Sequence, residues 1–185
     1  MPKAQRKTKE APQPAAPLNL DLGCGKNPRE GFIGVDAKAF GQQIVADLRN
    51  PWPWADGSVE EAHCSHFVEH LTGPERVHFA NELHRVLKPD GKATVIVPHW
   101  ASPRAYGDLT HQWPPVSEWW FLYLNKGWRD VNAPHNDGYT CHFEITYGYA
   151  MRGDIAQRSM EYQQYALANY KDAAQDIIST WIAKK

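Results

Sequence analysis

From Leu18 onward, short apolar runs alternate with longer stretches in which apolar residues recur every three or four positions. The short runs suit strands buried on both faces, and the alternation suits a parallel sheet joined by helical crossovers. Strands are predicted over Leu18–Leu22, Phe32–Asp36, Gln43–Asp47, Glu60–Ser65 and Ala93–Val97. Thr72 and Glu75 have the spacing of a capping box. Behind them Phe79, Leu83, Val86 and Leu87 form one apolar stripe that stops at Lys88-Pro89-Asp90-Gly91, the signature of a helix with defined ends. Beyond Pro98 the pattern predicts a helix over Val116–Leu124, a strand over Tyr139–Tyr149, a helix capped by Asp154 and running to about Ala174, and a strand over Asp176–Ile182. The expected architecture is one α/β domain over residues 18–185, a mostly parallel sheet with helices on both faces. Residues 1–17, rich in Pro, Ala and Lys and without an apolar period, read as a disordered arm.

Composition narrows the class of protein. A hydrophobic share of 42% with 22% charged residues is that of a globular chain in water. No apolar run approaches the roughly 20 residues that span a bilayer, and no apolar segment follows the basic N-terminus, so a membrane span and a secretory signal are not expected and the expected location is cytoplasmic. Three widely spaced cysteines, Cys24, Cys64 and Cys141, fit reduced thiols better than a disulfide framework. The net charge of −1 divides into +3 over the first ten residues and −4 elsewhere. The basic arm can contact nucleic acid or an acidic partner, although a solubilising tail is the simpler reading. Oligomeric state is not legible.

The first predicted strand runs directly into Gly23-Cys24-Gly25, where missing side chains let the backbone turn sharply and approach a ligand. Asn27 can cap and Pro28 can open a short helix, which Gly31 ends after about one turn. A dinucleotide site needs a third glycine where this chain has Pro28, which disfavours a nicotinamide oxidoreductase. A ligand without a pyrophosphate needs only the close loop and a carboxylate for its ribose, and Asp36 at the end of the second strand is placed for that.

Leu20-Asp21-Leu22-Gly23-Cys24-Gly25, Gly34-Val35-Asp36, Ala46-Asp47-Leu48, Ser65-His66 and Glu69-His70-Leu71 stand in the order of the successive motifs of class I S-adenosylmethionine-dependent methyltransferases, a family this chain resembles over about residues 18–98. The resemblance implies a Rossmann-like fold with S-adenosyl-L-methionine as cofactor. It implies that Gly23, Cys24 and Gly25 approach the methionine moiety, Asp21 orients its amino-acid end, Asp36 takes the ribose hydroxyls, Asp47 and Leu48 flank the adenine, and Ser65 and His66 complete the site. One departure is that 13 positions separate Gly23 from Asp36, against about 20 in a standard fingerprint, so the first helix is expected to be much shortened.

Other chemistry is less well supported. His66-Phe67-Val68-Glu69-His70 matches a zinc-hydrolase pattern in which two histidines hold the metal and the glutamate acts as base. The sequence identifies no third ligand, so no metal site is expected. The Asn/Asp-Pro-Pro-Tyr element of amino-directed nucleic-acid methyltransferases is absent, and Ser65-His66-Phe67 stands in its place. Five of the eight tryptophans fall between Trp100 and Trp128. Within that segment Asp108-Leu109-Thr110-His111 resembles an element of small methyltransferases of unassigned substrate. The acceptor, a small molecule bearing O or N, is expected under His99–Trp120, walled by Trp100, Tyr106, Trp113 and Trp119. Asp108 is expected to pair with His111, and His66, His99 and His111 are the candidate bases. The alternative from another class is a cofactor-binding subunit without activity, docked through its aromatic segment.

Overall fold

A computed structural model describes residues 17–185; the predicted arm, but for Pro17, lies outside them. Among the described residues seven strands form one sheet: β1 (Leu18–Leu22), β2 (Ile33–Asp36), β3 (Ile44–Val45), β4 (Val59–Ser65), β5 (Leu87–Pro98), β6 (Phe143–Met151) and β7 (Ala174–Ala183). Their order is β3-β2-β1-β4-β5-β7-β6, with β1 to β5 parallel and β7 inserted antiparallel between β5 and β6. Strand order therefore reverses at β1, whose neighbours are β2 and β4. In open α/β sheets such a switch point opens a crevice at the carboxyl ends of the strands.

The core is built from the apolar runs that predicted the strands. Leu20, Leu22, Val35, Val59, Val95 and Val97 are fully buried. Against them packs helix α1 (Gly73–Val86), whose stripe of Phe79, Leu83 and Val86 is also fully buried. The capping box forms as expected: the Glu75 carboxylate accepts the Thr72 N–H and hydroxyl, each at 2.8 Å.

Four expectations need correction. The chain between β1 and β2 contains turns and no helix, because Asp21 of β1 draws the Arg29 N–H down to 2.7 Å and holds this stretch against the strand end. β5 starts at Leu87, so the predicted helix stop at Lys88–Gly91 is already strand, paired with β4 from Val59↔Leu87. The predicted helix at Val116–Leu124 narrows to α2 (Glu118–Tyr123), and an unforeseen α3 (Lys126–Asn132) follows it, capped by the Asn125 side chain. The helix expected from Asp154 is divided into α4 (Gly153–Ala156) and α5 (Met160–Asn169). Ser159 caps the second piece, and Asp154 lies within the first, paired with Arg152.

Candidate functional site

The crevice beside β1 begins with two glycines in the left-handed region, Gly23 (φ 71°) and Gly25 (φ 55°). A Cβ on Gly23 would lie 2.6 Å from the Phe67 ring, so glycine is needed both for the turn and for the approach of the segment after β4. Gly23 and Cys24 donate their N–H groups to the Val35 carbonyl, at 2.8 and 3.1 Å, which ties the loop to β2. The close packing that a dinucleotide fold obtains from its third glycine comes here from Gly34. A Cβ there would meet Pro28 at 2.8 Å and the Cys24 sulfur at 2.9 Å.

A cleft of about 480 Å³ opens over this loop. Of the sequence-predicted cofactor residues it is lined by Gly23, Gly25, Asp36, Asp47, Leu48 and His66, whereas Asp21, Cys24 and Ser65 do not line it. Asp21 is buried beneath the loop, one oxygen accepting the Arg29 N–H and the other 2.8 Å from His63 Nδ1. His63 escaped sequence reasoning, because only the β1–β4 register sets it beside Asp21. Asp36 is clamped by two backbone donors, Gly25 N–H and Lys38 N–H, both at 2.9 Å, which leaves each carboxylate oxygen a free lone pair. Arg49, also unpredicted, holds the Asp47 carboxylate in a fork and keeps its pKa below the ordinary range.

The opposite wall is carried by the segment after β4. His66 adopts φ 54°, unusual for a residue with a side chain, and its N–H is anchored on the Ile96 carbonyl. Its Nδ1 lies 3.3 Å from Glu69, and its Nε2 lies 3.9 Å from Asp176, which is itself paired with Arg104. The hydrogen bond to Glu69 raises the His66 pKa against the effect of burial.

The remaining catalytic candidates are distributed differently from the sequence reading. His99 is buried; its Nδ1 accepts the Ala101 N–H and its Nε2 lies 3.5 Å from Glu118, so neither nitrogen is available as a base. Burial works to raise the pKa of Glu118, but hydrogen bonds from His99 and Tyr149 prevail and hold it at about 2. Asp108 does not pair with the His111 ring: its carboxylate accepts the N–H and hydroxyl of Thr110, each at 2.8 Å, while His111 Nδ1 donates to the Ala105 carbonyl at 3.1 Å. The expected aromatic wall is also split. Trp100, Trp113 and Trp119 line an apolar cleft of about 690 Å³ with Tyr147 and Tyr149, whereas Tyr106, Asp108 and His111 share with Trp113 a hollow of about 170 Å³.

One grouping differs from the zinc pattern read in the sequence. Glu69, His70 and His111 each bring a ligand atom within 4.8 Å of the other two, and His66 is not of that set. The third side chain comes from a loop about 40 positions downstream, beyond the reach of motif spacing.

A Rossmann-like sheet with an antiparallel strand inserted near one edge, a glycine turn after β1 and a clamped carboxylate ending β2 together define the class I methyltransferase fold. Residues 27–95 match the family described as "Methyltransferase domain". A protein named as an uncharacterized methyltransferase from Mycobacterium sp. (strain JLS) is 35% identical over 82 residues, a match covering 44% of this chain and 31% of the relative. The match thus spans about a third of that relative's length. A SAM-dependent methyltransferase from Archaeoglobus fulgidus superposes with a TM-score of 0.63 at 17% identity, covering 92% of this chain and 87% of the other. A methyltransferase from Haloferax volcanii, solved in complex with the activator Trm112, gives 0.58 at 13% identity, covering 95% and 86%. The [4+2]-cyclase SpnF shares the fold at a TM-score of 0.53 and 16% identity, covering 90% and 74%. The fold is common to all three, and the reaction has to be argued from the site.

Proposed function

We propose that this chain is an S-adenosylmethionine-dependent methyltransferase acting on a small molecule through an O or N nucleophile. The observation that carries the reading is Asp36, a carboxylate held by two backbone N–H groups beside a side-chain-free turn, facing a cleft of suitable size for such a cofactor. In this reading the Gly23–Gly25 turn receives the methionine end, Asp36 accepts from the ribose hydroxyls, and Asp47 with Leu48 borders the adenine. Asp21, buried beneath the loop and outside the cleft lining, acts by holding the turn through Arg29 and His63. The cofactor supplies an electrophilic sulfonium methyl. The protein's part is to align the acceptor and exclude water.

Of the four sequence-predicted catalytic residues, His66 is the one that lines this cleft, and Glu69, by raising its pKa, makes it a stronger base for a proton leaving the acceptor. His99 and Trp100 follow the C-terminal end of β5 and open the larger aromatic cleft, which offers an apolar wall for the body of the acceptor. Among the described residues no helix is long and apolar enough to cross a membrane. Calorimetry with S-adenosylhomocysteine tests cofactor binding. Mass spectrometry of cell extract incubated with the protein and methyl-labelled cofactor tests transfer; binding without any labelled product would favour the second reading, a cofactor-binding subunit. That reading draws support from the exposure of Leu109, Trp113 and Trp119, at 97%, 82% and 71%.

A further inference from the structure

We infer that Glu69, His70 and His111 form a binding site for one divalent first-row transition-metal ion at the wall of the cofactor cleft. The inference deepens the methyltransferase reading and rests on it only for the purpose of the ion, not for its binding. The three ligand atoms lie within 4.8 Å of one another, so each needs to move by about 1 Å or less to reach the bond lengths of about 2.0–2.2 Å usual for imidazole and carboxylate ligands.

The hydrogen bonds around the cluster prepare both imidazoles as ligands. His111 Nδ1 donates to the Ala105 carbonyl, which leaves Nε2 with its lone pair. Thr110 Oγ1 donates to Asp108 at 2.8 Å and therefore accepts from His70 Nδ1 at 2.9 Å, which leaves His70 Nε2 in the same state. Metal-bound histidines are oriented in this way, through a carbonyl or carboxylate on the other nitrogen. Asp108 acquires a role here that its failure to reach the His111 ring denied it.

A second observation is independent of these bonds. Glu69 is 3% exposed, and its Oε2 is buried with no hydrogen-bond partner. An orphaned carboxylate oxygen in such surroundings is costly, and a cation satisfies it. The nearby Arg76 guanidinium does not bond it and is directed instead to the carbonyls of Val68, Gln112 and Pro114. Those bonds, with Gln112 N–H donating to the Glu69 carbonyl at 2.8 Å, fasten the loop that carries His111 to the segment that carries Glu69 and His70.

Two imidazoles and one carboxylate select Mn²⁺, Co²⁺ or Zn²⁺ over Mg²⁺ and Ca²⁺, which prefer all-oxygen shells. Three protein ligands leave coordination positions for a fourth partner. His70 and Thr110 line the cofactor cleft, so those positions suit an acceptor that presents a hydroxyl or a pair of hydroxyls.

The test uses the full chain, freed of metal with EDTA and dialysed, and titrated with Co²⁺ while its visible d–d absorption is followed, then with Zn²⁺ in competition. One saturable site is expected, displaced by Zn²⁺. It should weaken by about 10-fold or more in His111→Ala, His70→Ala and Glu69→Gln, and be retained in His66→Ala. Thermal unfolding of each metal-free variant checks folding; should the buried Glu69→Gln fail, the two partly exposed histidines carry the test. Absence of a saturable site overturns the inference, as does loss of binding in His66→Ala with none in His111→Ala. Calorimetry with S-adenosylhomocysteine on the same samples separates the two claims. Cofactor binding without metal defeats this inference alone, and metal binding without cofactor upholds it while defeating the methyltransferase reading.

Discussion

At the residue scale, the site depends on a few backbone-held groups. Asp36→Ala removes a charged acceptor worth roughly 1.5–3 kcal/mol, so S-adenosylhomocysteine is expected to bind about 10- to 150-fold more weakly in a folded protein, as read by calorimetry. Unchanged affinity would remove Asp36 from the ribose role. Gly23→Ala tests the turn: its methyl would meet Phe67 at 2.6 Å in a left-handed backbone, a combination expected to cost about 1–3 kcal/mol. Adding Phe67→Gly should recover part of the cofactor affinity, since it removes both the ring atoms at 2.6 Å and the Cβ at 2.7 Å and leaves only the backbone strain. A double variant no better than the single one would locate the fault elsewhere.

At the element scale, α2 is joined to the sheet by Glu118, which takes the Tyr149 hydroxyl at 2.7 Å and lies 3.5 Å from His99. Its folded pKa of about 2 is below its unfolded value, despite burial. The linkage then has a definite sign: the stability it contributes is present above the unfolded pKa and is lost as pH falls through the folded one. Melting curves should therefore show Glu118→Gln less stable than wild type by a constant amount above about pH 5, with the gap closing on further acidification. A gap independent of pH would assign the effect to packing. The capping box of α1 offers a simpler test, since Thr72→Ala should destabilise by about 0.5–2 kcal/mol without altering cofactor affinity, because that residue lies outside the cleft.

At the scale of the whole molecule, the cleft is formed at the carboxyl ends of β1, β2 and β4 around the point where strand order reverses, so a ligand there bridges both halves of the sheet. A ligand that binds only the folded chain stabilises it by about 2.7 kcal/mol at 100 times its dissociation constant. For a domain of this size that corresponds to a rise in melting temperature of about 5–10 °C. S-adenosylhomocysteine should produce such a shift in wild type and much less in Asp36→Ala. An equal shift in both would place binding outside this cleft.

The local pattern of the chain was enough to establish the strand–helix alternation, the capped helix α1, the glycine turn and the acidic residue ending β2, because each rests on contacts or conformations within a few residues. The expectation of a shortened first helix failed for a tertiary reason: Asp21 on one strand captures the Arg29 N–H eight positions on and leaves no room for a helical turn. The same limit explains the histidines. Sequence spacing paired His66 with His70 and Asp108 with His111, since these are near neighbours along the chain. The folded chain instead bonds Asp108 to Thr110, gives His66 to Glu69, and carries His111 across to Glu69 and His70. His63 beside Asp21 and Gly34 beneath Pro28 were equally invisible, because strand register and close packing put them there. Local propensity follows from neighbours along the chain, whereas which donor meets which acceptor across the molecule follows from burial and packing, and only the tertiary structure decides that.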